Sequence, residues 1–106
     1  MRIDTHLVND GVIRLAVSGE LDLGTADLLT DAVGEVLTTA RPAEVIIDLA
    51  GLSLCDSTGV DALLRARADA AAQAVQLTVI NPRGIVRRVL DLTGTLDRLT
   101  GVPALL

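Results

Sequence analysis

The sequence predicts an α/β domain with a mixed β-sheet of four to five strands: an N-terminal hairpin on one side, parallel strands elsewhere, and helices on the flanks. Three observations predict it. Residues 3–17 alternate apolar and polar about an Asn9-Asp10-Gly11 turn. Two strand-sized apolar segments follow, Val45–Leu49 and Val75–Ile80. Between and after them, apolar residues recur at helical spacing over stretches long enough to cross from one parallel strand to the next.

Taken in order, Ile3 to Leu7 read as a strand, Asn9-Asp10-Gly11 as a turn that tolerates positive φ, and Ile13, Leu15 and Val17 as the returning strand. Gly19-Glu20-Leu21-Asp22-Leu23-Gly24 breaks the alternation. Thr25 then stands where a helix cap is expected, with Asp27 in the positive first turn, and the stripe Leu28, Leu29, Ala32, Val33, Val36, Leu37 predicts a helix over about 26–39. Arg41-Pro42 stops it. Val45-Ile46-Ile47-Asp48-Leu49 reads as an interior parallel strand buried on both faces. Ala50 to Asp56 reads as a connection to a helix that opens near Ser57 and reaches about Ala72, with Val60, Leu63, Leu64 and Ala71 toward the core. Asp61, Arg65 and Asp69 fall at i, i+4, i+8 on another, solvated face. After the strand ending at Ile80, Asn81-Pro82 reads as a helix start with proline in the first position, and Ile85, Val86, Val89 and Leu90 carry the stripe to Thr93-Gly94. Gly101 and Pro103 argue against a long regular element over 96–106.

A chain of 106 residues, half of them apolar and 22% charged, makes one domain, 1–106, and excludes a catalytic domain joined to a second binding domain. There is no Phe, Tyr or Trp, so stacking on bases and aromatic cages are not expected. Net charge is −5, and the nine basic residues are all Arg, scattered with only Arg87–Arg88 adjacent; direct nucleic-acid binding is not expected. No apolar run approaches the roughly 20 residues of a membrane span. With the single Cys55 and an N-terminus unlike a signal peptide, the chain reads as cytoplasmic. Enzyme chemistry lacks parts: the one histidine, His6, sits in the hairpin as a solvent-facing strand residue, no Gly-x-Ser-x-Gly elbow occurs, and no metal, nucleotide or other cofactor site has its ligand pattern. Cys55, beside Asp56, reads as a packed residue rather than a reactive thiolate.

The densest polar chemistry is Leu54-Cys55-Asp56-Ser57-Thr58-Gly59, directly before a helix. Free N–H groups and the positive helix end there suit an anion or an added phosphate, while plain capping by Asp56 or Ser57 accounts for the same residues. The whole stretch Val45 to Val60 resembles the signature of STAS domains, the bacterial anti-sigma factor antagonist family. Gly19-Glu20-Leu21-Asp22, with a helix opening at Thr25, and Asn81-Pro82, with a helix ending at Leu92-Thr93-Gly94, resemble the same family at matching spacing.

That resemblance implies a sheet flanked by helices and a phosphorylated serine directly after the aspartate, here Ser57, with Asp22, Asp56, Thr58 and Gly59 around it. It implies as partners an anti-sigma factor with serine kinase activity, which would bring the ATP, and a serine phosphatase; the domain itself would be a binding module that holds the anti-sigma factor while Ser57 is unphosphorylated. Two departures stand out: Thr58 takes the place of a frequent second Ser, and the chain ends at Leu106, short of the family's closing helix, which would be shortened or absent. Other readings of the same chain are an unmodified STAS scaffold in a stress-signalling or lipid-transport assembly and a small nucleotide-binding or hydrolytic protein.

Overall fold

The computed structural model describes residues 1–101. The chain opens with an antiparallel hairpin, β1 (Arg2–Asn9) and β2 (Val12–Leu21), and continues through α1 (Ala26–Thr39), β3 (Glu44–Cys55), α2 (Ser57–Ala72), β4 (Gln76–Ile80), α3 (Gly84–Leu92) and α4 (Leu96–Thr100). The strands form one sheet in the order β1-β2-β3-β4, with β2, β3 and β4 parallel. This is the mixed, helix-flanked sheet expected, with four strands.

Burial alternates along the strands, as a period of two requires. Ile13, Leu15 and Val17 of β2, Val45, Ile47 and Leu49 of β3, and Leu77 and Val79 of β4 are buried together with Leu29, Val33 and Leu37 of α1 and Val60, Leu63, Ala66 and Ala70 of α2. The opposite face, with Arg14, Ala16, Ile46, Asp48, Thr78 and Ile80, is only half-buried. The expectation of strands covered on both sides is therefore corrected. Ile46, an apolar residue on the outer face between Arg14 and Thr78, hides the alternation of β3.

Several boundaries differ from expectation for identifiable reasons. Ala50–Cys55 is not a connection but the second half of β3, paired to the end of β2 through Gly51–Ser18, Leu52–Gly19, Leu54–Glu20 and Cys55–Leu21. Two register irregularities, after Ala16 and after Gly19, destroy the local alternation that would announce a strand. Asn81-Pro82 is a turn, not a first helical turn: Asn81 adopts φ +57 and donates its side-chain amide to Asp48 Oδ1 at 3.2 Å, and α3 begins only at Gly84. The same Asp48 oxygen accepts the Ala50 N–H at 2.9 Å, and its Oδ2 lies 3.9 Å from Arg14 Nε. Leu28, Ala71 and Ile85, expected in the core, are exposed; Ala62, Ala66 and Ala70 supply the buried stripe of α2 instead.

Past α3, the chain turns at Thr93-Gly94-Thr95, where Thr95 is buried and its hydroxyl donates to the Leu90 carbonyl at 3.2 Å. α4 then inserts Leu99 fully into the core. It is five residues long, in keeping with the absence of a long element there; Pro103 and the expectation of a shortened closing helix fall on 102–106, outside the described residues. Among the described residues no helix is long and apolar enough to cross a membrane.

Because Leu99 joins α4 to the core with no exposure, Leu99→Ala is expected to lower unfolding stability by roughly 2–4 kcal/mol in urea titrations. A loss under about 1 kcal/mol would mean that α4 contributes little to the folded state.

Candidate functional site

β2 and β3 are parallel and end side by side, with Leu21 opposite Cys55. Asp22 and Asp56 are the next residues on each strand, so pairing register brings together two acids that lie far apart in sequence. The tie is direct: the Asp56 N–H donates to the Leu21 carbonyl at 3.2 Å.

Asp56 caps α2. Its backbone is extended (φ −97, ψ −174) and its Oδ1 accepts the Gly59 N–H at 2.9 Å. The capping reading of this aspartate therefore holds. The cap consumes one of the free N–H groups of the first turn and leaves Ser57 as the first helical residue, exposed, its hydroxyl held by no hydrogen bond among the described residues. Thr58 is half-buried and faces a groove of about 140 Å³ between α1 and α2, lined also by Ala26, Asp27, Asp61 and Arg65.

Gly59 is buried for a steric reason. A Cβ at this position would stand 2.5 Å from the Leu21 carbonyl oxygen and 2.9 Å from Cys55 Sγ, distances no side chain can occupy. Only glycine lets α2 start so close to the ends of β2 and β3.

Asp22 organises the loop between β2 and α1. Its Oδ1 accepts the Gly24 N–H at 3.0 Å, and its carbonyl accepts from Thr25 and Ala26. Thr25 does not cap α1 through its side chain; its hydroxyl accepts the Asp22 N–H at 3.0 Å and donates to the Glu20 carbonyl at 2.8 Å. The expected cap is thus a loop brace, because that loop has unpaired backbone groups of its own to satisfy.

Three apolar side chains near these ends are exposed: Leu23, 80% exposed, next to Asp22, and Leu54, two residues before Asp56, neither singled out by the sequence reading, and Leu28 in the first turn of α1, which that reading placed in the core. The only signal for Leu23 and Leu54 is an apolar residue in a segment without periodicity. Exposed leucines beside an exposed serine and the acids Asp22, Asp27, Asp56 and Asp61 make a surface suited to a protein partner with apolar and basic groups. Arg83 and Arg87 lie apart from it, lining a cavity of about 480 Å³ with Asn81 and Asp97. His6 is exposed on β1, and among the described residues no group of His, Cys, Asp and Glu is arranged to hold a metal ion.

Cys55, beneath the site, is buried, and burial followed by the Asp56 charge pushes its thiol up to about 11. It is a packed residue, as expected.

Comparison with known proteins is consistent across sequence and structure. The family model described as "STAS domain" matches residues 6–104. The anti-sigma-F factor antagonist RsfB of Mycobacterium tuberculosis is 35% identical over 104 residues, covering 89% of this chain and 84% of that protein. A solved anti-sigma factor antagonist from Mycobacterium paratuberculosis is 33% identical with a TM-score of 0.74, covering 93% of this chain and 83% of that one. The anti-sigma factor antagonist SpoIIAA in its unphosphorylated form shares the fold at a TM-score of 0.76 and 21% identity, covering 97% of this chain and 100% of that one.

Two measurements check this geometry. Gly59→Ala is expected to cost about 2–3 kcal/mol of unfolding stability, because α2 or Leu21 must shift to admit the methyl group; an unchanged midpoint would contradict the close approach. The second concerns Cys55. The chain has no Lys or Tyr, so Cys55 is the one side chain that titrates between about pH 9 and 11. Its native pKa is the raised one, so its contribution is complete below about pH 9 and is lost as pH rises toward 11, a decline of about 2–3 kcal/mol that Cys55→Val should abolish.

Proposed function

Since this chain belongs to the STAS domain family, we propose that it is an anti-sigma factor antagonist, a binding protein whose docking is switched by phosphorylation of Ser57. The observation that carries this reading is the free hydroxyl of Ser57, exposed at the start of α2 and next to Asp56, whose N–H ties this corner to the end of β2.

Phosphorylation adds about −1.5 to −2 charges and three acceptor oxygens. In the isolated domain that charge is tolerated: it is open to solvent and sits at the positive end of α2. In a complex it is not. A partner laid over Leu23, Leu28 and Leu54 would have to desolvate a phosphate beside the Asp56 and Asp22 carboxylates. A loss of only about 3 kcal/mol in such an interface weakens binding more than a hundredfold. The switch therefore needs no refolding, which suits a helix start locked by Asp56 and Gly59.

In this reading the partner is an anti-sigma factor with serine kinase activity. It binds the unmodified domain, releases its sigma factor, and transfers phosphate from its own ATP to the Ser57 oxygen; a serine phosphatase restores the hydroxyl. No cofactor is required on this chain. Asp22, Asp56, Thr58 and Gly59 act as positioning and contact residues rather than as reacting groups.

Incubation with ATP and a kinase-type anti-sigma factor, followed by intact mass measurement and site mapping, is expected to show one phosphate, on Ser57, and none on Ser57→Ala. Ser57→Asp should bind that factor at least about a hundredfold more weakly than Ser57→Ala. Equal affinities would refute the switch.

A further inference from the structure

The far edge of the sheet carries a feature that the Ser57 site does not use. β1 is the outermost strand, and among the described residues nothing pairs with its outer side. Its inner-face residues Ile3, Thr5 and Leu7 lie opposite Val17, Leu15 and Ile13, which are buried, yet only Ile3 packs against the core. Thr5 is exposed, and Leu7 is 70% exposed. The helical layer stops short of this strand and leaves a ledge with an open backbone edge, a template for one more strand.

From the pattern of side chains along that edge we infer that β1 pairs antiparallel with β1 of a second copy of this chain, about a two-fold axis at Thr5. In this register Thr5 meets Thr5, Ile3 meets the second copy's Leu7, Asp4 meets the second copy's His6 and Arg2 meets the second copy's Val8, the last three contacts each formed twice. Directly opposed residues of antiparallel strands share a face, so this arrangement keeps both helical layers on the same side of one eight-stranded sheet. The neighbouring registers that keep the layers together are poorer: one sets Asp4 against Asp4 and Ile3 against Thr5, the other sets His6 against His6 and Leu7 against Thr5. Pairing of Ile3 with Leu7 on the apolar face, and of the Asp4 carboxylate with the His6 imidazole in place of Asp4 or His6 with itself, selects the register centred on Thr5. The edge carries no proline, and Arg2 and Asp4 are paired with each other at 3.1 Å, which reduces the bare charge that would otherwise block an approaching strand.

The inference is independent of the function proposed for Ser57, which lies at the start of α2 rather than on β1. Sedimentation of the full chain over a range of concentrations tests it. A strand-edge contact is small, so a reversible dimer half-formed at roughly 0.1 mM is expected. Thr5→Asp opposes two carboxylates on the axis, and His6→Glu opposes Glu to Asp4 twice; each should weaken the dimer at least about tenfold, with far-ultraviolet circular dichroism unchanged. The charge swap Asp4→Arg with His6→Glu should recover the dimer. Thr5→Cys should cross-link under mild oxidation while the wild type, whose Cys55 is buried, does not. A wild type that stays monomeric up to about 1 mM overturns the inference and leaves the edge to an extended segment of a different protein. A dimer indifferent to Thr5→Asp, or a swap that fails to restore association, overturns it equally.

Discussion

The site depends on one close approach: the first turn of α2 against the last residues of β2 and β3. Gly59 lies where a methyl group would meet the Leu21 carbonyl oxygen, Asp56 donates its N–H to that carbonyl, and the Asp56 side chain closes on the Gly59 N–H. These three contacts share Gly59 of α2, its cap Asp56 and Leu21 of β2. Together they fix where the helix starts, and so where Ser57 projects. A serine hydroxyl on a mobile loop could be modified as readily, but it would not present a charge at a defined place on an interface. Here an added charge would arrive on a rigid corner directly after Asp56.

Local chemistry was legible in the sequence and nonlocal chemistry was not. An aspartate three residues before Gly59, at a boundary between an apolar strand and an Ala-rich helix, announces a cap, and the cap is there. The start of α2 at Ser57 and its end at Ala72 follow from the same reasoning. The second half of β3 was hidden because its pairing partner is the end of β2, some thirty residues away, and because the irregular register leaves Leu52 and Cys55 as the buried residues in place of strict alternation. Asn81-Pro82 misled for a similar reason. Asn81 is bound to Asp48, a residue on another strand, and that bond holds the chain in a turn for two residues before α3 can begin.

The apolar rim was the larger omission. Leu23, Leu28 and Leu54 look in the sequence like material for the core, and Leu28 even fits the stripe of α1. Their exposure follows from position: Leu54 and Leu28 lie at the ends of β3 and α1, and Leu23 in the loop between β2 and α1, where no helix or strand covers them. The Leu7 ledge on β1 has the same origin at the other side of the sheet, where α1 does not extend over the outermost strand. In a domain this small the layers are short, and apolar residues at their margins remain uncovered unless another molecule supplies the cover.

The core that these elements enclose is built from aliphatic side chains and alanine with the single thiol of Cys55, and the chain has no Phe, Tyr or Trp. The protein is consequently dark to ultraviolet excitation above the absorption of its peptide groups. In a mixture with any partner that carries tryptophan, all intrinsic fluorescence belongs to the partner, and its emission reports the partner's surroundings alone.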